Sequence, residues 1–521
     1  MNDSASSEPL PFTLQFQAHH NPDKIALIDG SLRFTFREFN QRVNRLANSL
    51  AEMGISRGNR VAVLLHNRAE WAEVIFALSK LKASAVPIGY RLKAREIEFI
   101  MNNSEAKALI MGEEFLNEAG PAMPNFKHVA DKDIVLLGTN VPPPFQPYED
   151  LIARAPETEP EGDPEENSSS IIYTSGTTGT PKGAYRANQP RNLETLMDII
   201  NGFGFNMNDN NLVACPLYHS APSFFTAFHL VFGCTVVIHN HFDPEKFLES
   251  VDREKISTAF VVPTQLNRIA NLPDDVKKKY DLSSMRALIT GAAPCHHTVK
   301  VKIVDIFGPN CLYEFYGSTE AGINTILLPE DQLRKIGSCG RALAGNEIMV
   351  VADDGNEVPA GEVGQLYVKN SMLITSYYKN EEATKESLLR GFFSVGDMAK
   401  VDEEGFYYIV DRKKDMVISG GMNIYPAEIE TVLRAHPAIF ECVVIGVPDA
   451  EWGESLKAIV ALKPGHEATP EELRAYCKEW LADFKVPRSV DFIDEIPHNP
   501  SGKPLKRELR KRYWQEEDRK I

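Results

Sequence analysis

The chain is poor in cysteine: seven in 521 residues, at positions 215, 234, 295, 311, 339, 442 and 477. The number is odd and no two form a CxxC pair. This excludes a disulfide framework and points to reduced thiols in a cytoplasmic protein. No apolar run approaches the roughly 18 residues that cross a bilayer, so no transmembrane segment is expected. A peripheral membrane contact, useful if a substrate is greasy, is left open. The opening residues, MNDSASSEPLPF, lack a basic-then-apolar signal pattern. Positive charge is in deficit, with 56 Lys and Arg against 72 Asp and Glu, a net charge of -16. Nucleic-acid backbones need a basic surface, so nucleic acid is excluded as a main partner. A local basic patch for a phosphorylated small molecule is not excluded. There is no internal repeat and no low-complexity tract.

What remains is an ordinary globular composition, 43% hydrophobic and 25% charged, long enough for more than one domain with sizeable cores. From residue 22 to 150, short β-like runs alternate with helical patterns. "RVAVLL" (Arg60 to Leu65) reads as a buried strand and Arg68 to Lys82 as an amphipathic helix. "SAVPIG" and "KALIMG" repeat the theme. Pro156 to Ser170, rich in Glu, Pro and Ser, predicts an exposed loop. A second alternating series follows in "TVVIHN", "TAFVVP" and "RALITG". Such alternation predicts parallel sheet with helices on its faces. From about Glu347, short strands with turns at Asp354-Gly355 and Glu404-Gly405 predict antiparallel structure. Past Asp415 a small α/β unit follows, with "ECVVIGVP", "LKAIVAL" and a helix from about Pro470 to Leu481. A charged helix or frayed end closes the chain from Arg507 to Lys520.

The segment Ile171 to Gly183, "IIYTSGTTGTPKG", carries the strongest chemical signal. An apolar run leads into Ser, Thr and Gly, closed by Lys182. Glycines let backbone N–H groups approach a polyphosphate, hydroxyls add donors, and lysine adds a point charge. Lys182 lies between Pro181 and Gly183, so this is not the G-K-[ST] loop that opens a helix.

This phosphate loop resembles that of the adenylate-forming superfamily, which includes acyl- and aryl-CoA synthetases, luciferases and adenylation domains of peptide synthetases. Further motifs follow in family order. "YEFYGSTEAG" (Tyr313 to Gly322) resembles its adenine and metal segment, and "GFFSVGDMA" (Gly391 to Ala399) its ribose segment. "YIVDRKKDMVISGGMNIYP" (Tyr408 to Pro426) resembles its hinge, and "PSGKPLKREL" (Pro500 to Leu509) its catalytic-lysine segment. The resemblance spans about residues 15–512.

The resemblance implies an acid–CoA ligase that uses ATP, Mg²⁺ and coenzyme A. The acid is activated to an acyl-AMP with release of pyrophosphate, then passed to CoA. Lys503, in the "PSGK" turn, is implied as the catalytic lysine that offsets charge between carboxylate and α-phosphate. Glu320 is implied as the Mg²⁺ ligand, with Thr174 and Thr319 contributing hydroxyls; carboxylate suits so hard a cation. Thr174, Ser175, Gly176, Thr177, Thr178, Gly179 and Lys182 match the phosphate loop. Glu314, Phe315, Tyr316, Gly317 and Ser318, with Gly291, Ala292 and Ala293 beside them, match the adenine site, Tyr316 stacking on the base. Asp397 matches a ribose ligand and Arg412 a ribose or phosphate contact. Lys414 matches the pivot about which a small domain turns between half-reactions. Ser419, Gly420 and Gly421 match the loop lining the thiol channel. Many relatives carry Gly where Asp411 stands, which reads as subgroup variation.

"CPLYHSAPSFF" (Cys215 to Phe225) resembles the border of the acid pocket. Tyr218, His219, Phe224 and Phe225 are the candidate lining, and their apolar setting predicts an uncharged hydrophobic acid. Fatty, aryl and steroid side-chain acids all remain open. So do other readings of the whole chain: a ligase that loads a carrier protein's phosphopantetheine, an oxidase of the luciferase type, a non-catalytic acyl- or nucleotide-binding protein, or a phosphotransferase releasing ADP. The chain runs only a short way beyond Lys503, which favours free CoA over a carrier protein. A homo-oligomer is left open. The expected architecture is α/β and α+β: residues 1–410 with two α/β subdomains and a distorted β-barrel, a hinge at 411–414, and a small mobile α+β lid at 415–521.

Overall fold

Buried runs such as Val61–Leu64 and Val236–Ile238 have no exposed face, which is the signature of parallel strands covered by helices on both sides. In the computed structural model these runs form two large mixed sheets. The structure describes residues 10–161, 168–174, 181–188, 192–420, 422–498 and 504–514. The chain divides into two compact units, residues 1–347 with 369–388, and residues 348–368 with 389–521.

The first unit holds an eight-stranded and a nine-stranded sheet. In the eight-stranded sheet Arg60–Leu64, Ser84–Pro87, Ala108–Gly112 and Ser170–Thr174 run parallel, and Lys182–Arg186 returns antiparallel along Ser170–Thr174. In the nine-stranded sheet the neighbouring strands Asn210–Val213, Thr258–Val261, Ala287–Thr290 and Leu312–Ser318 are parallel, and Gly322–Leu327 folds back antiparallel on the last. Helices Phe36–Glu52 and Ala69–Lys80 put Phe39, Val43, Leu46, Trp71 and Val74 into one core with side chains of both sheets. A separate aromatic core gathers Phe203, Phe205, Phe225, Phe228, Phe260 and Phe315.

One carboxylate ties together the starting ends of three adjacent parallel strands. Asp209, 1% exposed, accepts from Arg286 Nη2 at 2.6 and 2.7 Å, from Ser257 Oγ at 2.7 Å and from Asn206 N at 2.8 Å. These partners lie just ahead of strands Asn210–Val213, Thr258–Val261 and Ala287–Thr290. The expected loop after Pro156 is exposed yet tethered: Asn48 Nδ2 donates to the carbonyls of Pro156 and Thr158 at 2.9 Å. Residues 162–167 of that loop lie outside the described residues.

The second unit holds an antiparallel six-stranded sheet and a five-stranded sheet around Ile439–Asp449 and Gly453–Leu462. The distorted barrel expected here is instead an open sheet: among the described residues its path runs from Leu388–Leu389 to Tyr407–Arg412 without closing. Closure needs strands long enough to tilt and stagger, and two of these, Leu388–Leu389 and Phe392–Phe393, have two residues each. All seven cysteines are free and buried. No helix among the described residues is long and apolar enough to cross a membrane.

Asp209→Ala leaves the Arg286 guanidinium without its carboxylate and unties the three strand ends. With Arg286 partly open to solvent, the loss of these hydrogen bonds costs about 1–3 kcal/mol. Denaturant unfolding is expected to show a midpoint lowered accordingly, with Asp209→Asn losing less.

Candidate functional site

Parallel strands all end on one side of their sheet, so the loops that follow them gather there. The candidate residues of the first unit lie in this position. Thr174 ends its strand, Gly291 follows Thr290, Thr319 and Glu320 follow Ser318, and Tyr218 and His219 lie just past Val213. The phosphate segment is a hairpin, with Thr174 opposite Lys182. Lys182 therefore starts a strand and not a helix, as Pro181 and Gly183 predict. Ser175, Gly176, Thr177, Thr178 and Gly179, in its loop, lie outside the described residues.

Glu320 is the hub. It sits in the turn between Leu312–Ser318 and Gly322–Leu327, 7% exposed. Its Oε1 accepts from Thr174 Oγ1 at 3.3 Å and from Tyr377 OH at 3.2 Å. Lys182 Nζ stands 5.0 Å from the centroid of the same Tyr377 ring. Thr319 Oγ1 is 3.0 Å from Ser220 Oγ, which joins this turn to the acid segment. Arg186 braces it from below, donating to Thr319 O at 2.7 Å and to Met372 O at 2.8 Å. Burial draws the Arg186 guanidinium below its ordinary range, and the Glu320 charge works against that. Gly317 is required by the close crossing of the hairpin: a Cβ there would lie 2.0 Å from Gly322 O. Tyr377 and Arg186 were missed in the sequence because neither belongs to a motif, and strand pairing brings them in; Ser220 stands inside the acid segment, beside His219, and was passed over.

The same oxygen pair fits a hard divalent cation. Thr174 Oγ1 and a Glu320 carboxylate oxygen are neutral and anionic oxygen donors on one spot, the donor type magnesium takes. Among the described residues no group of three or more His, Cys, Asp or Glu could hold a metal alone. Any ion here would draw its other ligands from phosphate and water, as Mg²⁺ commonly does.

Along Leu312–Ser318 side chains alternate. Glu314 and Tyr316 share one face while Phe315 points the other way, into the aromatic core at 6.0 Å from Phe225 and 5.8 Å from Phe260. The Phe315 side chain, expected at the nucleotide site, lies instead in the aromatic core. Tyr316 is half-buried, as are Gly317 and Ser318. The Glu314 carboxylate is met by the ammonium of Lys300, 2% exposed. Burial pushes the Glu314 carboxyl up, and Lys300 opposes it. Ala292 adopts a left-handed backbone, φ 67°, directly after Gly291. Strain of this kind in a non-glycine residue concentrates at functional sites, and Ala292 and Ala293 are exposed.

In the acid segment His219 caps helix Ser220–Phe232, half-buried, its ring 4.1 Å from that of Tyr218. Tyr218 also meets Tyr90 edge-on at 5.2 Å. Phe224 is half-buried. Phe225, one residue on and about 100° around the helix, is 2% exposed inside the aromatic core. It is therefore corrected from pocket lining to core.

In the second unit Asp397 and Arg412 are direct cross-strand partners, with Arg412 Nε 3.3 Å from Asp397 Oδ1. Asp411, read from the sequence as subgroup variation, has a structural contact: its carboxylate accepts from Ala427 N at 2.9 Å, in the first turn of helix Pro426–Arg434. Lys414 is exposed, in the single turn Lys413–Asp415. Ser419 pairs with Gly453. Gly420 takes φ 58°, and a Cβ there would lie 2.4 Å from the Trp452 ring. Gly421 and Lys503 lie outside the described residues.

The two adjacent phenylalanines give a direct check. Phe225→Ala is expected to lose about 3–5 kcal/mol of stability as a core truncation. Phe224→Ala is expected to lose less than about 1.5 kcal/mol. Denaturant unfolding of both variants side by side measures the difference.

Residues 14–378 match the family described as AMP-binding enzyme, and residues 428–503 the AMP-binding enzyme C-terminal domain. The chain is 35% identical over 502 residues to a feruloyl-CoA synthase of Amycolatopsis sp, covering 95% of this chain and 97% of that protein. It is 34% identical over 503 residues to a long-chain-fatty-acid–CoA ligase of Mycobacterium tuberculosis, covering 96% and 97%. The o-succinylbenzoate CoA synthetase of Bacillus subtilis, solved in complex with its acyl-adenylate intermediate, matches with a TM-score of 0.83 at 30% identity, over 96% of this chain and 98% of that one. With these likenesses running nearly end to end, on a chain whose strand ends gather the phosphate hairpin and Glu320, the protein belongs to the acyl-CoA synthetases, the AMP-forming acid–CoA ligases of the adenylate-forming superfamily.

Proposed function

We propose that the protein joins an uncharged hydrophobic carboxylic acid to coenzyme A at the expense of ATP. In the first half-reaction a carboxylate oxygen attacks the α-phosphorus, the bond to the β-phosphate bridging oxygen breaks, and pyrophosphate leaves. In the second, the thiol sulfur attacks the acyl carbonyl and AMP leaves. The observation that supports this most is the convergence of Thr174, Lys182 and Glu320 at the strand ends, cation and hydroxyl beside a held carboxylate.

The first step brings two anions together, so the site must offset their repulsion. Lys182 and the hairpin loop would hold the phosphates. Glu320 and Thr174 would hold Mg²⁺, which when bound neutralises phosphate charge. Tyr316, on the same strand face as Glu314, would stack on adenine. Asp397, kept in place by Arg412, would accept from the ribose hydroxyls, as acidic residues do in dinucleotide folds. Lys503 would offset the charge that develops between acid and α-phosphate, and so be the catalytic lysine. Residues 411–414 would serve as hinge between a large part, residues 1–410, and a lid, residues 415–521, with Lys414 as pivot and Ser419 to Gly421 along the thiol channel. Phe224, Tyr218 and His219 support a hydrophobic acid, since the described part of the segment presents aromatic rings and no carboxylate-pairing lysine or arginine.

Pyrophosphate release is measured with ATP, Mg²⁺ and a panel of fatty, aryl and steroid side-chain acids, with and without CoA, with mass spectrometry of products. Acid-dependent pyrophosphate, and acyl-CoA only when CoA is added, is the expected result. Acyl-AMP that CoA does not consume would overturn the acceptor and favour a carrier protein. Lys503→Ala is expected to slow adenylation about 10²–10³-fold, the size of losing one preorganised charge-stabilising group, while ATP binding persists. Unchanged turnover in that variant would remove Lys503 from the mechanism.

A further inference from the structure

The turn Lys413–Asp415 joins strand Tyr407–Arg412 to strand Val417–Ser419, and its own closure is one bond, Met416 N to Arg412 O at 3.2 Å. Its outward carbonyls are taken by a single side chain from far along the chain. Arg510 Nη1 donates to Lys414 O at 3.2 Å and Nη2 to Asp415 O at 3.1 Å, while Nη1 lies 3.3 Å from Asp415 Oδ1. The directions of these two carbonyls are set by the backbone dihedrals of Lys414 and Asp415. A rotation at either residue breaks at least one of the contacts.

Arg510 is itself held firmly. Its helix, Lys506–Lys511, buries Leu509 completely against a cluster that includes Val443, Ile445 and Ile496. Lys506 Nζ pairs with Glu430 Oε1 at 2.7 Å, and that oxygen also accepts from Val444 N at 2.8 Å. Just beyond the helix, Trp514 Nε1 donates to Gly446 O at 3.0 Å. The helix is thus part of the five-stranded sheet's body, and Arg510 is a strut from that body to the turn. A planar guanidinium presents two parallel donors and spans two carbonyls, which an ammonium cannot do.

We propose that Arg510 is a positioning residue of the 411–415 segment: it holds that segment in the conformation seen here and so sets the balance between adenylation and acyl transfer. This rests on the ligase reading above. The charged surroundings fit a device of this kind, since Asp411, Asp415, Glu430, Lys506 and Arg510 face one another across the base of the segment. The chain is also closed on itself just before the helix, with His498 bridged to Pro504 and Leu505 N bonded to Pro497 O at 2.7 Å.

The test separates the half-reactions in the full-length enzyme. Acid-dependent pyrophosphate exchange reads adenylation, and single-turnover consumption of preformed acyl-AMP by CoA reads transfer. Arg510→Ala is expected to change the ratio of the two rates by about tenfold or more, the size of two hydrogen bonds from a charged donor, with the KM for ATP unchanged. Asp415→Ala, which removes only one contact, is expected to move the ratio the same way by less. Arg510→Lys is expected to recover part of the change. Leu509→Ala, which loosens the helix that carries Arg510, is expected to lower the melting temperature and to move the ratio the same way as Arg510→Ala by less. A wild-type ratio in Arg510→Ala, whether both rates are intact or both have fallen together, overturns the proposal. So does a wild-type ratio in Asp415→Ala should Arg510→Ala not fold. Absence of both half-reactions in the wild-type enzyme would instead overturn the ligase reading.

Discussion

Parallel strands must all finish on the same side of their sheet, and most of what this protein does follows from that constraint. The strands Ser170–Thr174, Asn210–Val213, Ala287–Thr290 and Leu312–Ser318 each lead into a segment that carries candidate site residues. The opposite ends of Asn210–Val213, Thr258–Val261 and Ala287–Thr290 are tied together, with Asp209 gathering Asn206, Ser257 and Arg286. A charge-binding site on one side therefore stands on a rigid frame tied at the other. The contrast is chemical as well as spatial. Asp209 is met by a guanidinium, a hydroxyl and a backbone N–H, whereas among the described residues the Glu320 oxygen that faces Thr174 and Tyr377 accepts from their two hydroxyls at 3.3 and 3.2 Å.

One buried ion pair shows how the frame limits what the site can present. Glu314 is spent on Lys300, so the strand offers Tyr316 as the side chain on that face that is still half-open. Phe315 is withdrawn by strand alternation and Phe225 by helix rotation, and together with Phe260 they make the aromatic core under the acid segment. In the second unit Asp397 and Arg412 are held by register, and Asp411 is used to fasten a helix. The 411–415 segment is consequently gripped from three directions: by strand pairing, by the helix that Asp411 caps, and by Arg510.

Much of the fold was readable without coordinates. The buried runs at 60, 84, 108, 235, 258 and 287 are strands, the amphipathic stretch after Arg68 is helix Ala69–Lys80, and the helix expected from Pro470 ends at Trp480. Each of these is a local pattern whose period is dictated by its own side chains. The barrel was misjudged because sheet closure depends on strand length and stagger, which turn residues do not report. Tyr377 and Arg186 could not have been named from spacing, since their relation to Glu320 exists only once Ser376–Tyr377 pairs with Lys182–Arg186. Asp411 carried too weak a local signal, because a carboxylate in "DRKKD" looks the same whether it faces water or a helix end.

The sequence by itself determined the chemistry available: a Ser-, Thr- and Gly-rich loop closed by Lys182, a glutamate in the run "YGSTEAG", an aspartate at 397 and an arginine at 412, and the alternation that makes strands parallel. These are properties of residue type and short spacing, which act over a few bonds. Only the tertiary structure decided which of the flagged side chains face the site and which are absorbed into the core, and which distant groups hold them. That Phe224 is half-buried while Phe225 is fully buried, that Lys300 claims Glu314, and that Arg510 reaches back to Lys414 and Asp415 all depend on contacts between residues far apart in the chain. Such contacts are set by the burial of whole faces at once, and no local pattern contains them.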